Sequence, residues 1–128
     1  MYLLDTCTFM WLVADQKQLS KKAIQLIMKH PQSLFISSIS AFEITIKHNK
    51  KRIILPEKPE KWISEALEFH NIKEIPLDTK IATASASLPF IHNDPCDRFI
   101  IATAKLNDMA VITCDSVFSK YHGVNVIW

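Results

Sequence analysis

The sequence predicts an α/β protein, a three-layer α/β/α domain around a central parallel sheet of about five strands. Short apolar runs alternate with longer stretches in which apolar residues recur at helical spacing, and that alternation implies parallel strands joined by helical crossovers. The 128 residues suit one domain, taken as residues 1–128, and 48% hydrophobic content suffices for a core buried on both sheet faces.

The first run, Tyr2-Leu3-Leu4, reads as a buried strand ending at Asp5. Thr6 to Ala14 follows as a helix with Phe9, Met10, Trp11 and Val13 turned inward. Ser20 caps a second helix to His30, carrying Ala23, Ile24, Ile27 and Met28, and Pro31 stops it. Leu34–Ser37 is the second strand. Ser40 is expected to cap the next helix, through Phe42, Glu43, Ile46 and Lys47. Pro56 and Pro59 bracket a turn before a Glu60–His70 helix with Trp62, Ile63, Ala66, Leu67 and Phe69. Ile72–Pro76 is the third strand, and Asp78 caps Thr79–Leu88. Asp94-Pro95 has the N-cap and N1 chemistry of a helix start, with Phe99, Ile100, Ala102, Thr103 and Leu106 beyond. Ala110–Cys114 and Val124–Ile127 complete the strands.

Composition removes several function classes. One glycine, Gly123, is too few for a Walker loop or a G-x-G-x-x-G turn, which need several for close approach to phosphate. Three cysteines without a C-x-x-C pair, and five scattered histidines without an H-x₃₋₅-H pair, read against disulfides and structural zinc, and favour a reducing cytoplasm. Cys7, Cys96 and Cys114 read as small buried apolar residues. The apolar N-terminus lacks a basic segment and is interrupted by Asp5, which reads against a signal peptide, and no run is long enough for a membrane span. Net charge is only +2, so nucleic-acid binding would need a local patch.

Acidic residues carry the chemistry. Ligands of open parallel sheets bind beyond the carboxyl ends of the strands. Asp5 follows the first strand and Asp115 the fourth, Glu43 lies early in the helix after the second, and Asp94 and Asp97 open the helix before the fourth. Two carboxylates about 5 Å apart at an effective dielectric near 20 repel by roughly 3 kcal/mol. A hard divalent cation, Mg²⁺ or Mn²⁺, resolves that repulsion and can activate a phosphodiester and a water. Each acid also has a structural reading. Asp5 and Asp115 could cap the helices after them, and Glu43 could be a surface residue, although Phe42, Ile44 and Ile46 around it look buried. Asp94 suits the N-cap, and Asp97 at N3 leans back toward the strand edge as the preferred ligand. Arg98 and Lys47 each read as a phosphate contact or as a neutralising partner of the acids beside them. In the Lys47–Arg52 basic block, cations favouring a helix C-terminus account for Lys50 and Lys51 at least as well as RNA contact does. Trp11 and Trp62 read as core or dimer interface.

In chain order, LLDTCTFMWL, SAFEITIKHNKKRI, HNDPCDRFIIATA and VITCDSVF resemble the PIN-domain nucleases, in particular the VapC-like toxins of type II toxin–antitoxin pairs. The similar subgroup carries D-T-H-x-x-x-W, W-E-I-x-I-K and H-x-D-P-F-D-R. Cys7 replaces its histidine, Phe42 its tryptophan and Cys96 its phenylalanine, and Lys51 stands where glycine is common. No acid is lost. The resemblance implies a PIN fold and Mg²⁺- or Mn²⁺-dependent endonucleolytic cleavage of RNA. It also implies a homodimer and a cognate antitoxin reaching into the acidic groove. It implies Asp5 and Asp97 as principal ligands, Glu43 as a ligand through water or a water-orienting base, and Asp115 completing the shell. Asp94 is then accessory, with Thr6 and Thr113 as hydroxyl donors. A PIN-fold module binding RNA or protein without cutting is the alternative, and retention of four mutually repelling acids argues against it.

Overall fold

The computed structural model describes residues 1–128. Five short strands, β1 (Tyr2–Leu4), β2 (Leu34–Ser37), β3 (Lys73–Ile75), β4 (Ala110–Ile112) and β5 (Val126–Ile127), form an all-parallel sheet in the order β3-β2-β1-β4-β5. Six α-helices connect them: α1 (Thr6–Ala14), α2 (Lys21–Lys29), α3 (Ile39–Asn49), α4 (Pro59–Phe69), α5 (Thr79–Ala86) and α6 (Pro95–Leu106). Short 3₁₀ turns at Gln16–Gln18 and Ser116–Lys120 complete the chain. The predicted three-layer α/β/α order is the one observed.

Continuous apolar strands follow from burial on both faces. Leu4, Ile36 and Ile112 pack with Phe9, Leu12, Ala23, Ile27, Trp62 and Ala66 from α1, α2 and α4. The alternate residues Leu3 and Val111 pack with Ile81 of α5, Ile100 and Ile101 of α6, and Phe118 on the other side. Pairing is in register from Tyr2 opposite Leu34 and Ala110 to Leu4 opposite Ile36 and Ile112. Burying one such Leu, Ile or Phe contributes about 1.5–3 kcal/mol, comparable to the repulsion of one carboxylate pair. Two cores of this kind can therefore sustain an electrostatically unfavourable site between them.

Several expectations are corrected. Ser40 does not cap α3; it lies fully buried inside the first turn, and the helix begins at Ile39, whose N–H donates to Ser37 Oγ at 3.2 Å. Phe42 is 57% exposed. At about 100° per residue, Ile39, Ser40 and Ile44 fall in one arc of about 140° that contains Glu43 and leaves Phe42 outside. Met28 and Phe69 are likewise exposed, at the ends of their helices' apolar stripes. Helix α4 starts at Pro59, at N1, one residue before the expected start. Cys114 is exposed, and Cys7 and Cys96 are half-buried.

Three helices end in the same motif without glycine. Lys51, Asn71 and Asp108 take φ of 57°, 52° and 51°. In each, the next residue's N–H returns to the carbonyl five positions earlier: Arg52 to Lys47, Ile72 to Leu67, and Met109 to Ala104, all at 2.9 Å. These are Schellman ends, whose left-handed residue is usually glycine. The left-handed backbone at Lys51 is why glycine suits this position, and Lys51 occupies it under strain.

Strand order reverses at β1, because the chain moves outward to β2 and β3 and then returns to β4 on the opposite side. That switch point is where an open parallel sheet leaves a crevice at its carboxyl edge.

Candidate active site

Asp5 and Thr113 close the crevice between β1 and β4. Asp5 caps α1, its Oδ1 accepting from Thr8 N–H at 2.8 Å, and its Oδ2 accepts from Thr113 Oγ1 at 2.5 Å. Thr8 Oγ1 donates across to Ile112 carbonyl at 2.9 Å. Asp5 is 5% exposed, and burial, with a smaller contribution from Asp115, raises its pKa despite those hydrogen bonds. Thr113 Oγ1 also accepts from Asp115 N–H at 3.0 Å, which fixes the chain leaving β4.

Glu43 enters from α3. Thr6 Oγ1 donates to Glu43 Oε1 at 2.5 Å and lies 2.9 Å from Ser40 Oγ. Thr6 has one hydroxyl proton, so Ser40 must donate to Thr6 as Thr6 donates to Glu43. This relay uses a residue that sequence reasoning placed at a cap. Burial raises the Glu43 pKa, Asp94 adds to it, and the Thr6 hydrogen bond and Lys47 oppose it.

Helix α6 brings two more acids. Asp94 is its N-cap, with Oδ1 accepting from Cys96 N–H at 2.9 Å. Carboxylate oxygens of Glu43, Asp94 and Asp97 lie within 4.8 Å of one another. Asp97 belongs to a second group as well, with His92 and Asp115 at the same limit. Burial first, then Asp94 and Glu43, push the Asp97 pKa up to about 7, although His92 opposes the rise. No lysine or arginine lies within salt-bridge distance of any of these acids; the lysine ion pairs are Lys61 with Glu57 and Glu65 on the surface. Asp115 caps the Ser116–Lys120 turn through Oδ1, which accepts from Val117 N–H at 2.9 Å, and its Oδ2 faces His92.

The PIN domain family profile matches residues 2–124. The chain belongs to the PIN-domain family. This PIN domain is 30% identical over 114 residues to Ribonuclease VapC22 of Mycobacterium tuberculosis, covering 88% of this chain and 85% of that protein. Its fold is similar to VapBC2 from Rickettsia felis bound to a DNA fragment from its promoter, with TM-score 0.72, 15% identity and coverage of 98% and 96%. It is also similar to a toxin–antitoxin complex from Klebsiella pneumoniae, with TM-score 0.68, 24% identity and coverage of 100% and 97%. At such identities these two structures speak for the fold.

Arg98 is corrected. In this PIN domain Arg98 is 6% exposed, and its guanidinium turns away from the acids. It donates to the carbonyls of Leu88 and Pro89 at 2.9 Å and of Ser85 at 3.0 Å, beneath the Phe90 ring at 4.5 Å. An arginine so engaged cannot clamp a phosphate; it ties α5 and the following loop to α6. Lys47 lies near enough to lower Glu43 but makes no ion pair with it within 4.0 Å. Trp62 is core, edge-on to Phe9 with ring centroids 6.2 Å apart, whereas half-buried Trp11 packs on Trp128 at 5.9 Å. Burial, then Asp5 beside Cys7 and Glu43 beside Cys96, push those thiols up to about 11 and about 12, so neither is a nucleophile near neutrality.

Sequence reasoning missed His92 as a member of the site. Its signal was local: it stands two residues before the Asp94 cap, where its ring can fold back on that residue's N–H. A search for paired histidines passes over such a residue.

Proposed function

We propose that this PIN domain is a Mg²⁺- or Mn²⁺-dependent endoribonuclease acting as the toxin of a type II toxin–antitoxin pair. The observation that carries this reading is the convergence of Glu43, Asp94 and Asp97 oxygens within 4.8 Å, without a lysine or arginine to neutralise them. The donors are carboxylate oxygens around raised pKa values, the chemistry of a hard divalent ion rather than of zinc.

In this reading Asp5 and Asp97 hold the cation, and Asp115 completes its surroundings from the β4 side. The ion, when bound, supplies charge neutralisation and activates phosphate and water. Glu43 keeps Oε2 available to orient a water, because Thr6 engages Oε1. Thr113 holds the Asp5 carboxylate in one orientation. Asp94 combines the cap with a place beside the other acids, and Lys47 remains the nearest basic candidate for the RNA backbone.

The antitoxin proposal draws on the toxin–antitoxin complexes among similar folds and on an open groove of about 820 Å³ between α3 and α4. Ala41, exposed Phe42, Ile63 and Leu67 give that groove an apolar floor. A homodimer is proposed on the family resemblance. No helix is long and apolar enough to cross a membrane. Three free thiols suit a reducing compartment, and the cytoplasm is the proposed location.

Incubating purified protein with single-stranded RNA tests the reading. Cleavage with Mn²⁺ or Mg²⁺, abolished by chelator and by Asp97→Asn, is expected. Binding of RNA without cleavage under any divalent ion would favour the non-catalytic module.

A further inference from the structure

We propose that His92 is a positioning residue that holds Asp97 and Asp115 together as oxygen donors and does not itself ligate the cation. The inference rests on the cation-site reading and goes beyond it by excluding nitrogen from the ligand set. His92 Nε2 lies 2.8 Å from Asp115 Oδ2 and 3.1 Å from Asp97 Oδ2. On the other side of the ring, Asp94 N–H points at Nδ1 at 3.1 Å. A backbone N–H can only donate, so Nδ1 presents its lone pair and the ring proton sits on Nε2. That single N–H is shared between two carboxylates from different elements, one on α6 and one after β4.

The ring is not free to change this arrangement. It is 13% exposed at the side chain and packs edge-on to Phe118, with centroids 5.7 Å apart and planes at 89°. Ligation through Nε2 would require moving the proton to Nδ1, directly against Asp94 N–H. The same ring thus receives the N–H of the residue that caps α6 and orients the acid that α6 presents. Histidines that orient ligating carboxylates typically change metal affinity about 10–100-fold when removed.

Two substitutions separate the two edges of the ring. His92→Asn retains an acceptor for Asp94 N–H and loses the donor to the acids. His92→Gln retains the donor and loses the acceptor. Mn²⁺ titration of the full chain, read by electron paramagnetic resonance, should show His92→Asn weaker than wild type by about 10-fold or more. His92→Gln should bind more tightly than His92→Asn. Pulsed spectra of the wild-type Mn²⁺ complex should show no directly coordinated ¹⁴N. A ¹⁴N coupling that disappears in His92→Asn would make His92 a ligand and overturn the proposal. Equal Mn²⁺ affinity in wild type and His92→Asn would overturn it while leaving the cation site standing. Absence of Mn²⁺ binding by wild type would remove both.

Discussion

Replacing Asp97 by Asn should stabilise the metal-free protein above neutral pH while abolishing its cation-dependent behaviour. The folded protein holds Asp97 protonated up to about 7, against about 3.9 for an ordinary aspartate. Fully converted, that difference is about 4 kcal/mol against the folded state once both states are ionised. The side chain is 19% exposed, and solvent screening reduces the figure to about 2 kcal/mol. Asn also loses a favourable charge at the α6 N-terminus, worth about 0.5 kcal/mol. The net gain is about 1.5 kcal/mol, or about 5 °C in melting temperature for a domain of this size. Because the folded pKa is raised, wild-type stability falls as pH rises from about 4 to about 7 and is level above. The advantage of Asp97→Asn should therefore be absent near pH 4 and complete by pH 8. Thermal melts in chelator across that range measure it. Magnesium should reverse the order, since a ligand at a hundred times its Kd stabilises wild type by about 2.7 kcal/mol. A variant no more stable than wild type at pH 8, or equally advantaged at pH 4, would refute the electrostatic account of Asp97.

Four further outcomes are expected. Asp5→Asn should retain the Thr8 cap and near-native stability by urea denaturation, yet lose RNA cleavage; full activity would remove Asp5 from the site. Asp94→Asn preserves the cap to Cys96, so stability should change by less than about 0.5 kcal/mol and cleavage should fall only partly. Complete inactivation of that variant with intact folding would promote Asp94 to an essential ligand. Arg98→Ala should lose about 3 kcal/mol, because three carbonyls lose their partner, while cleavage per folded molecule survives. Loss of cleavage at unchanged stability would return Arg98 to the substrate. Lys51→Gly should raise stability by about 1 kcal/mol by relieving the left-handed backbone, and a decrease in the denaturation midpoint would contradict the assigned strain.

The layers of this PIN domain and the places of its strands along the chain were legible because burial on both sheet faces writes itself as apolar runs such as Leu3-Leu4 and Val111-Ile112, whereas the order of the strands in the sheet is set by long-range pairing that no such run records. The capping aspartates Asp5, Asp78, Asp94 and Asp115 were legible for a similar reason, since each cap is a local hydrogen bond to the turn that follows. Residues whose role depends on distant partners were not. Ser40 looked like a cap because hydroxyls favour caps, but its partner is Thr6, 34 positions away. Arg98 looked like a phosphate clamp because it adjoins Asp97, yet adjacent helical residues point about 100° apart, and its guanidinium faces α5. The expectation that Glu43 is no ordinary surface residue agrees with its half-buried position, although Phe42, one of its stated reasons, is exposed. The arc containing Ile39, Ser40 and Ile44 supplies the physical reason instead.

Soaking crystals of the metal-free protein in Mn²⁺ and mapping its anomalous scattering tests the convergence of these acids most directly. The account predicts a Mn²⁺ peak bounded by the Asp97 carboxylate, with Asp5 beneath it and oxygen atoms only among its protein ligands. A saturating soak that leaves the acids without a peak, or places Mn²⁺ away from Asp97, would contradict it.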